Sequence, residues 1–399
     1  MKKCLFAFPI IIICFIGNII GQTTWTTRAS GTADTLFGVA YGNNTFVAVG
    51  DRVKANQADT IQKALTSPDG ITWTQHYTGT TNAILNITYG NNTFVAVGAS
   101  GTIQTSSDGI TWTTRSSGTT NVLVGITYGN NTFIATGWNG TIITSPDGTT
   151  WTTRSSGRGI PIIGITYANN TFVAVGFDST YHSVALTSTN GIAWTSHSVG
   201  TGRYLENVAY GNNTFVAVGD TGTIVTSSDG ATWSPRISGT TSWLQSIIYV
   251  NSKFVAVGRS GVILLSPDGI TWTTQSSGTS NALYNIAFGN NTFVATGSYH
   301  TILTSSVSAI RYHASSFPAV ANKIDFSGNS IRYTIPSSAN VSLNLYDLNG
   351  RCVKTLVNNN LQLAGNHTIP FPTGIANGTY LLSLKAGEYT TSGIVLVQK

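Results

Sequence analysis

The string YGNNTFVAVG returns along the chain with small changes, and this self-similarity constrains the fold more than any local pattern does. Its Phe falls at 46, 94, 133, 172, 215, 254 and 293, and a second marker, a Trp, falls at 25, 73, 112, 151, 194, 233 and 272. Both series advance by 48, 39, 39, 43, 39 and 39 residues, the length of one four-stranded sheet. The spacing predicts an all-β chain folded as a seven-bladed β-propeller. Each unit divides at Gly and Asn/Asp turns into four short strands, which in the third unit run 123–128, 132–137, 141–145 and 150–154. The Gly-Asn and Asp-Gly pairs are expected to supply the positive φ of tight hairpins. The Phe-Val-Ala-Val strand is apolar on both sides, as for a strand covered on each face.

The series begins with an isolated fourth strand, residues 23–28, and ends after a third strand, residues 302–305. Pairing the two would close the ring with the N-terminal strand and remove its open edges. A solenoid of the same repeats is the alternative, but it would need polar capping repeats at its ends.

Charged residues make up 9% of the 399, there is one Met, and 41% are hydrophobic. That composition excludes coiled coils and disorder. The net charge of +6 is spread thinly, which argues against nucleic acid as a partner. Residues 1–21 carry Lys2 and Lys3, an apolar run over 5–16 and a small Gly21, the pattern of a secretory signal peptide. The apolar run is shorter than the roughly 18 residues of a spanning helix, so no transmembrane segment is expected in the mature chain, although a retained signal anchor is the alternative. Cys4 and Cys14 lie in this leader, leaving Cys352 with no internal partner. The six His show no metal spacing, and nucleophile elbow, phosphate loop and dinucleotide fingerprint are missing, so neither cofactor, metal nor catalytic residues are expected.

SPDGITW (67–73 and 266–272), SSDGITW (106–112), SPDGTTW (145–151) and SSDGATW (227–233) resemble the Asp-box, or bacterial neuraminidase, repeat. The surrounding FVAVG-x-x-GTI-x-T-S is similar to propellers of the photosystem II assembly factor type, and the resemblance covers residues 23–306. It implies a structural hairpin, with Asp69, Asp108, Asp147, Asp229 and Asp268 in Asx turns and Asn190 tolerated in the fifth box. The boxes are one residue shorter between Asp and Gly than the sialidase form.

IRYTIP (331–336), VSLNLYDLNGR (341–351), AGNH (364–367), NGTYLLSL (377–384) and GIVLVQK (393–399) together resemble the type IX secretion C-terminal sorting domain, with Gly393 in place of the usual Lys. That resemblance implies type IX secretion machinery as a partner of residues 323–399. The alternating VSLNLY strand and DLNG turn predict a small immunoglobulin-like β-sandwich there, and an ordinary module of that kind is the alternative. The expected organisation is signal peptide 1–21, propeller 22–306, linker 307–322 and sorting domain 323–399, secreted or held at the outer-membrane cell surface.

In an up-and-down blade, the loops between second and third strands share a face with those leading to the next blade. That face holds both insertions, 51–63 and 177–185, and most departures from the repeat. Trp138, Asp178, His182, Arg203, Tyr204, Glu206, Trp243, Tyr299 and His300 are its candidate ligand-binding residues, and Tyr181, Asp220 and Arg259 also break the pattern there. Glu206 breaks it most sharply, in a column reading Phe37, Leu85, Val124, Ile163, Glu206, Gln245, Tyr284. Trp and Tyr around a polar mouth suit stacking on sugars or anchoring a peptide. The expected function is a non-catalytic binding module for carbohydrate or a surface polymer. The alternatives are a secreted, sialidase-like glycoside hydrolase, with Glu206 and Asp178 or Asp220 as its carboxylates, and a scaffold that docks a protein partner.

Overall fold

The computed structural model describes residues 24–51, 61–180, 182–306, 324–327, 330–335, 337–347, 351–375, 378–387 and 389–397. The expected leader and linker, Tyr181 and residues 52–60 of the first insertion lie outside them. The chain divides into two compact units, Met1–Ile310 and Arg311–Lys399. Among the described residues both are built of strands, with only short 3-10 turns between some of them, and no helix is long and apolar enough to cross a membrane.

In the first unit, four-stranded antiparallel sheets follow one another in chain order. Their inner strands are Thr35–Gly42, Ile84–Gly90, Leu123–Gly129, Ile162–Ala168, Leu205–Gly211, Leu244–Val250 and Leu283–Gly289, numbered here as sheets one to seven. The first six sheets take their strands consecutively. The seventh takes its outer strand, Thr26–Arg28, from the start of the chain, with Thr27 opposite Leu303. Each inner strand packs on the next, and Leu283–Gly289 packs back on Thr35–Gly42, where the Tyr284 and Phe37 rings meet at 5.1 Å.

Cores form between neighbouring sheets rather than within one. Val47 and Val49 of sheet one pack with Ile84, Ile87, Phe94 and Ala96 of sheet two, all buried. A second strand apolar on both sides therefore serves two cores, and each fully buried Val, Ile or Phe contributes roughly 1.5–3 kcal/mol. The glycine ending that strand is required by close approach, since a Cβ on Gly98 would lie 2.0 Å from the carbonyl oxygen of Ala83.

The hairpins correct one expectation. Asn43 and Asn44 hold the positive φ angles, 46° and 57°, and Gly42 does not. A tight hairpin of this hand needs two successive left-handed residues, which Asn tolerates. Gly42 serves packing, because a Cβ there would fall 2.0 Å from the Tyr89 ring. At the other repeated turn, Asp108 Oδ1 accepts the N–H groups of Ile110 (2.8 Å) and Thr111 (2.9 Å), and the Trp112 indole donates to the Gly109 carbonyl at 3.0 Å. Asn190 accepts the same pair of bonds, from Ile192 at 2.9 Å and Ala193 at 3.1 Å.

In the second unit, Ile324–Ser327, Ser330–Ile335 and Gly365–Pro370 form one sheet, and Cys352–Gln362, Ala339–Tyr346, Gly378–Ala386 and Tyr389–Val397 another. Val341, Leu343 and Leu345 alternate into a core with Ile331, Tyr333, Leu382 and Leu384. Residues 348–350 of the expected DLNG turn lie outside the described residues, and Cys352 is exposed as a free thiol.

Candidate functional site

One backbone contact organises the loop face. In several sheets the first residue after the second strand donates its N–H to the carbonyl of the residue just before the inner strand, as Ala99 does to Ala83 at 2.9 Å. The same bond runs from Trp138 to Val122 at 3.0 Å, from Asp220 to Tyr204 at 3.1 Å and from Arg259 to Trp243 at 2.8 Å. Side chains at these positions make no part of the bond and are free to differ. In sheets five and six they become a cluster.

The Phe177 ring meets Tyr204 edge-on at 4.3 Å, Tyr204 lies nearly parallel to Trp243 at 5.8 Å, and the Arg259 guanidinium sits 4.1 Å over the Trp243 ring. A cation so placed interacts with the ring quadrupole. Trp243 is thereby packed into the protein and is not an open shelf. Its indole N–H is buried and, among the described residues, reaches no acceptor at hydrogen-bonding geometry, yet lies near enough to Glu206 to stabilise the carboxylate.

Glu206 stands at a β-bulge, between Leu205 and Asn207, where the ladder to the second strand slips. Every residue of its column occupies the equivalent bulge, a device that re-aims a side chain. Glu206 is half-buried as a residue, but protein atoms ring its carboxyl group. Burial therefore raises its pKa to about 7, against the opposing pull of the Trp243 N–H and Arg259 and with a further push from Asp220. Burial also raises the pKa of Asp220, which Arg203 and the backbone N–H of Tyr204 partly offset, and one oxygen of its carboxyl group, Oδ1, is buried without a hydrogen-bond partner among the described residues.

Asp178 folds its own loop. Its Oδ1 accepts the N–H groups of Thr180 (2.9 Å) and His182 (3.0 Å) and the Thr180 hydroxyl (2.6 Å), with His182 Nδ1 at 3.8 Å. The Thr180 hydroxyl, followed by the His182 N–H, holds the Asp178 carboxyl below the usual range. The Ser183 hydroxyl donates to the Arg203 carbonyl, which ties this loop to the strand entering sheet five. Asp178, His182, Arg203, Tyr204, Glu206 and Trp243 thus fall in one region across sheets four to six. Trp138, 47% exposed in sheet three, stands outside it, as do Tyr299 and His300 in sheet seven. Tyr299 (φ 50°) and His300 (φ 55°) are left-handed, where sheet three has Asn139 and Gly140.

Sequence reasoning passed over the residue following each bulge: Gly38, Asn86, Gly125, Gly164, Asn207, Ser246 and Asn285. Most of them line a cavity of about 330 Å³ between the inner strands. The signal was present, since this column alone is small or polar throughout an otherwise apolar strand.

No family model and no curated protein sequence matches the chain. Solved structures do. YCF48 bound to D1 peptide is 18% identical, with a TM-score of 0.58, over 72% of this chain and 96% of that one. A virginiamycin B lyase from Staphylococcus aureus, a catalytically inactive variant with quinupristin, is 12% identical, with a TM-score of 0.62, over 72% and 100%. PorZ of Porphyromonas gingivalis, a surface component of the type-IX secretion system, is 13% identical, with a TM-score of 0.57, over 93% of this chain and 60% of its own. At such identities the likeness establishes the fold: the first unit is a β-propeller.

Proposed function

We propose that the chain is an exported, non-catalytic binding protein: a seven-bladed propeller, clasped by its N-terminal strand, that takes a polypeptide ligand on its loop face. Residues 1–21 serve as its signal peptide and residues 323–399, beyond a linker at 307–322, as an immunoglobulin-like type IX sorting domain. The observation that carries the ligand reading is the cluster of Phe177, Tyr204, Trp243 and Arg259 beside Glu206, Asp220 and Arg203. Packed aromatic and Arg side chains with enclosed polar groups are the composition of protein-binding hot spots. The peptide bound by YCF48 and the place of PorZ in the type-IX secretion system lend support from similar propellers. The test is selection of displayed peptides on the mature chain. Enriched peptides should lose at least tenfold in affinity to Tyr204→Ala/Arg259→Ala and keep it for Ile110→Ala on the opposite face. Failure of any peptide to enrich overturns the reading.

The exposed Trp138 favours a second reading, a carbohydrate or surface polymer stacked on the indole. A glycan screen with Trp138→Ala as control tests it, and release of reducing ends would point instead to hydrolysis with Glu206, protonated near neutrality, as the acid.

A further inference from the structure

The channel side chains form a hydrogen-bonded half-belt. Asn207 Nδ2 donates toward Ser246 Oγ (3.5 Å), Ser246 Oγ toward Asn285 Oδ1 (3.5 Å), Asn285 Nδ2 to Asn86 Oδ1 (3.3 Å), and Asn86 Nδ2 to the Val124 carbonyl (2.9 Å). Asn285 reaches past sheet one to Asn86, because Gly38 has no side chain there.

Which end of each amide is oxygen is fixed by the backbone. Asn86 Oδ1 accepts the N–H of Ile87 at 2.8 Å, Asn207 Oδ1 that of Val208 at 2.7 Å and Asn285 Oδ1 that of Ile286 at 2.8 Å. An amide nitrogen could not accept these bonds. The accounting then closes unevenly. The oxygens of Asn86 and Asn285 each accept two bonds, whereas each of the three nitrogens carries two hydrogens and donates one. Among the described residues, three N–H donors remain unspent around a cavity that no charged side chain lines. At about 330 Å³ it has room for roughly ten waters, at about 30 Å³ apiece, or for a small organic group.

We propose that this channel is a second binding site, for a carboxylate group. A carboxylate brings only acceptors, about four lone-pair positions on two oxygens, and can take all three donors; bonds to a charged acceptor are the stronger kind. Among the described side chains that line the cavity, a cation would meet few unspent acceptors and a polyol would bring donors that find few, since the amide oxygens of Asn86 and Asn285 are already filled. The carboxylate belongs either to a free small acid or to the end of a polypeptide. The inference does not rest on the loop-face reading, because it uses none of those residues.

The test is calorimetric titration of the mature full-length chain at pH 6.5 with succinate, with triglycine and with triglycine amide. Binding of succinate alone assigns a free acid, and binding of triglycine but not its amide assigns a chain end. Asn207→Asp keeps the acceptor that caps Val208 and the side-chain size while replacing the donors by lone pairs, so it should weaken either probe at least tenfold. Binding of none of the probes, binding of the amide as tight as that of triglycine, or equal binding by Asn207→Asp overturns the proposal. Should Asn207→Asp fold poorly, crystals of the unaltered chain soaked in 4-bromobenzoate, whose aryl bromide the exposed Cys352 thiol does not displace, decide the question. An anomalous bromine peak beside Asn86, Asn207 and Asn285 supports the site, and an adventitious ion only, on the outer surface, overturns it.

Discussion

The two faces of the propeller come from the same repeats and have opposite freedoms. On the turn face the side chain makes the backbone's hydrogen bonds: Asp69, Asp108 and Asp268 each hold the N–H two residues on at 2.8 Å, and even Asn190 keeps that bond at 2.9 Å. On the loop face the backbone bonds to itself, and Ala83 with Ala99 supports the same contact as Trp243 with Arg259. Residue identity is constrained where a side chain closes the turn and is released where main chain closes it. A binding surface can then vary while the ring keeps its stability.

The largest expected effect would break this freedom at its root. A Cβ on Gly219 would lie 1.8 Å from the Tyr204 carbonyl oxygen, and on Gly98 2.0 Å from that of Ala83. Both backbones are extended, so the cost is steric alone. Gly219→Ala and Gly98→Ala should each lose about 3 kcal/mol or more in urea unfolding. Only Gly219→Ala should also shift Trp243 fluorescence, because it dislodges the Tyr204 carbonyl from Asp220. Melting of Gly98→Ala at the parent temperature would falsify the close-approach account.

Next in size is a pH effect that separates the faces. Glu206 titrates near 7 in the folded chain against an ordinary 4.5, so folding favours its protonated form. The penalty is nil below pH 4.5, grows as pH rises toward 7 and is complete above it, at most about 3 kcal/mol. Glu206→Gln should therefore stabilise the chain at pH 8 and leave it unchanged at pH 4, measured as urea unfolding free energy. Asp108 behaves oppositely. The N–H of Thr111, with that of Ile110, holds its carboxyl below the ordinary 3.8, so its contribution is present above that value and fades as pH falls below it. A Glu206→Gln gain of equal size at both pH values would remove enclosure as the cause of the shift.

This division explains what could be read from the chain alone. Strand number per repeat, the Asx turns and the loop-face position of Trp138, Glu206 and Trp243 follow from spacing, because turn chemistry and register are local. Spacing could not say that Arg259 would cover Trp243, which leaves that candidate without an open ring face on Arg259's side, since the contact depends on how two loops of one sheet meet. Nor could it separate Tyr299 and His300 from the cluster around Glu206. The channel amides stood out as a small or polar column but not as a site: Asn in a strand reads as a weak strand former, and its value as a cap for an inner edge appears only when inner strands face a common cavity.

The smallest effect tests whether bond geometry or charge holds the turn face. Asp108→Ala leaves the N–H groups of Ile110 and Thr111 without their side-chain acceptor, but both are exposed and water replaces it, so the expected loss is about 1 kcal/mol. Asp108→Asn should cost less than about 0.5 kcal/mol at pH 7, because Asn190 already closes the fifth box through the same two backbone donors and Ser188. The Asn variant should also lose the acid-side fading predicted for Asp108, since its acceptor does not titrate. Urea unfolding of both variants at pH 7 and pH 3 separates the cases. If Asn costs as much as Ala at pH 7, the carboxylate charge holds the turn, and the fifth box must make up for Asn190 by another contact. If Asn is neutral, the repeated Asp is one of two residues that fit the turn, and its recurrence needs no ligand on that face to explain it.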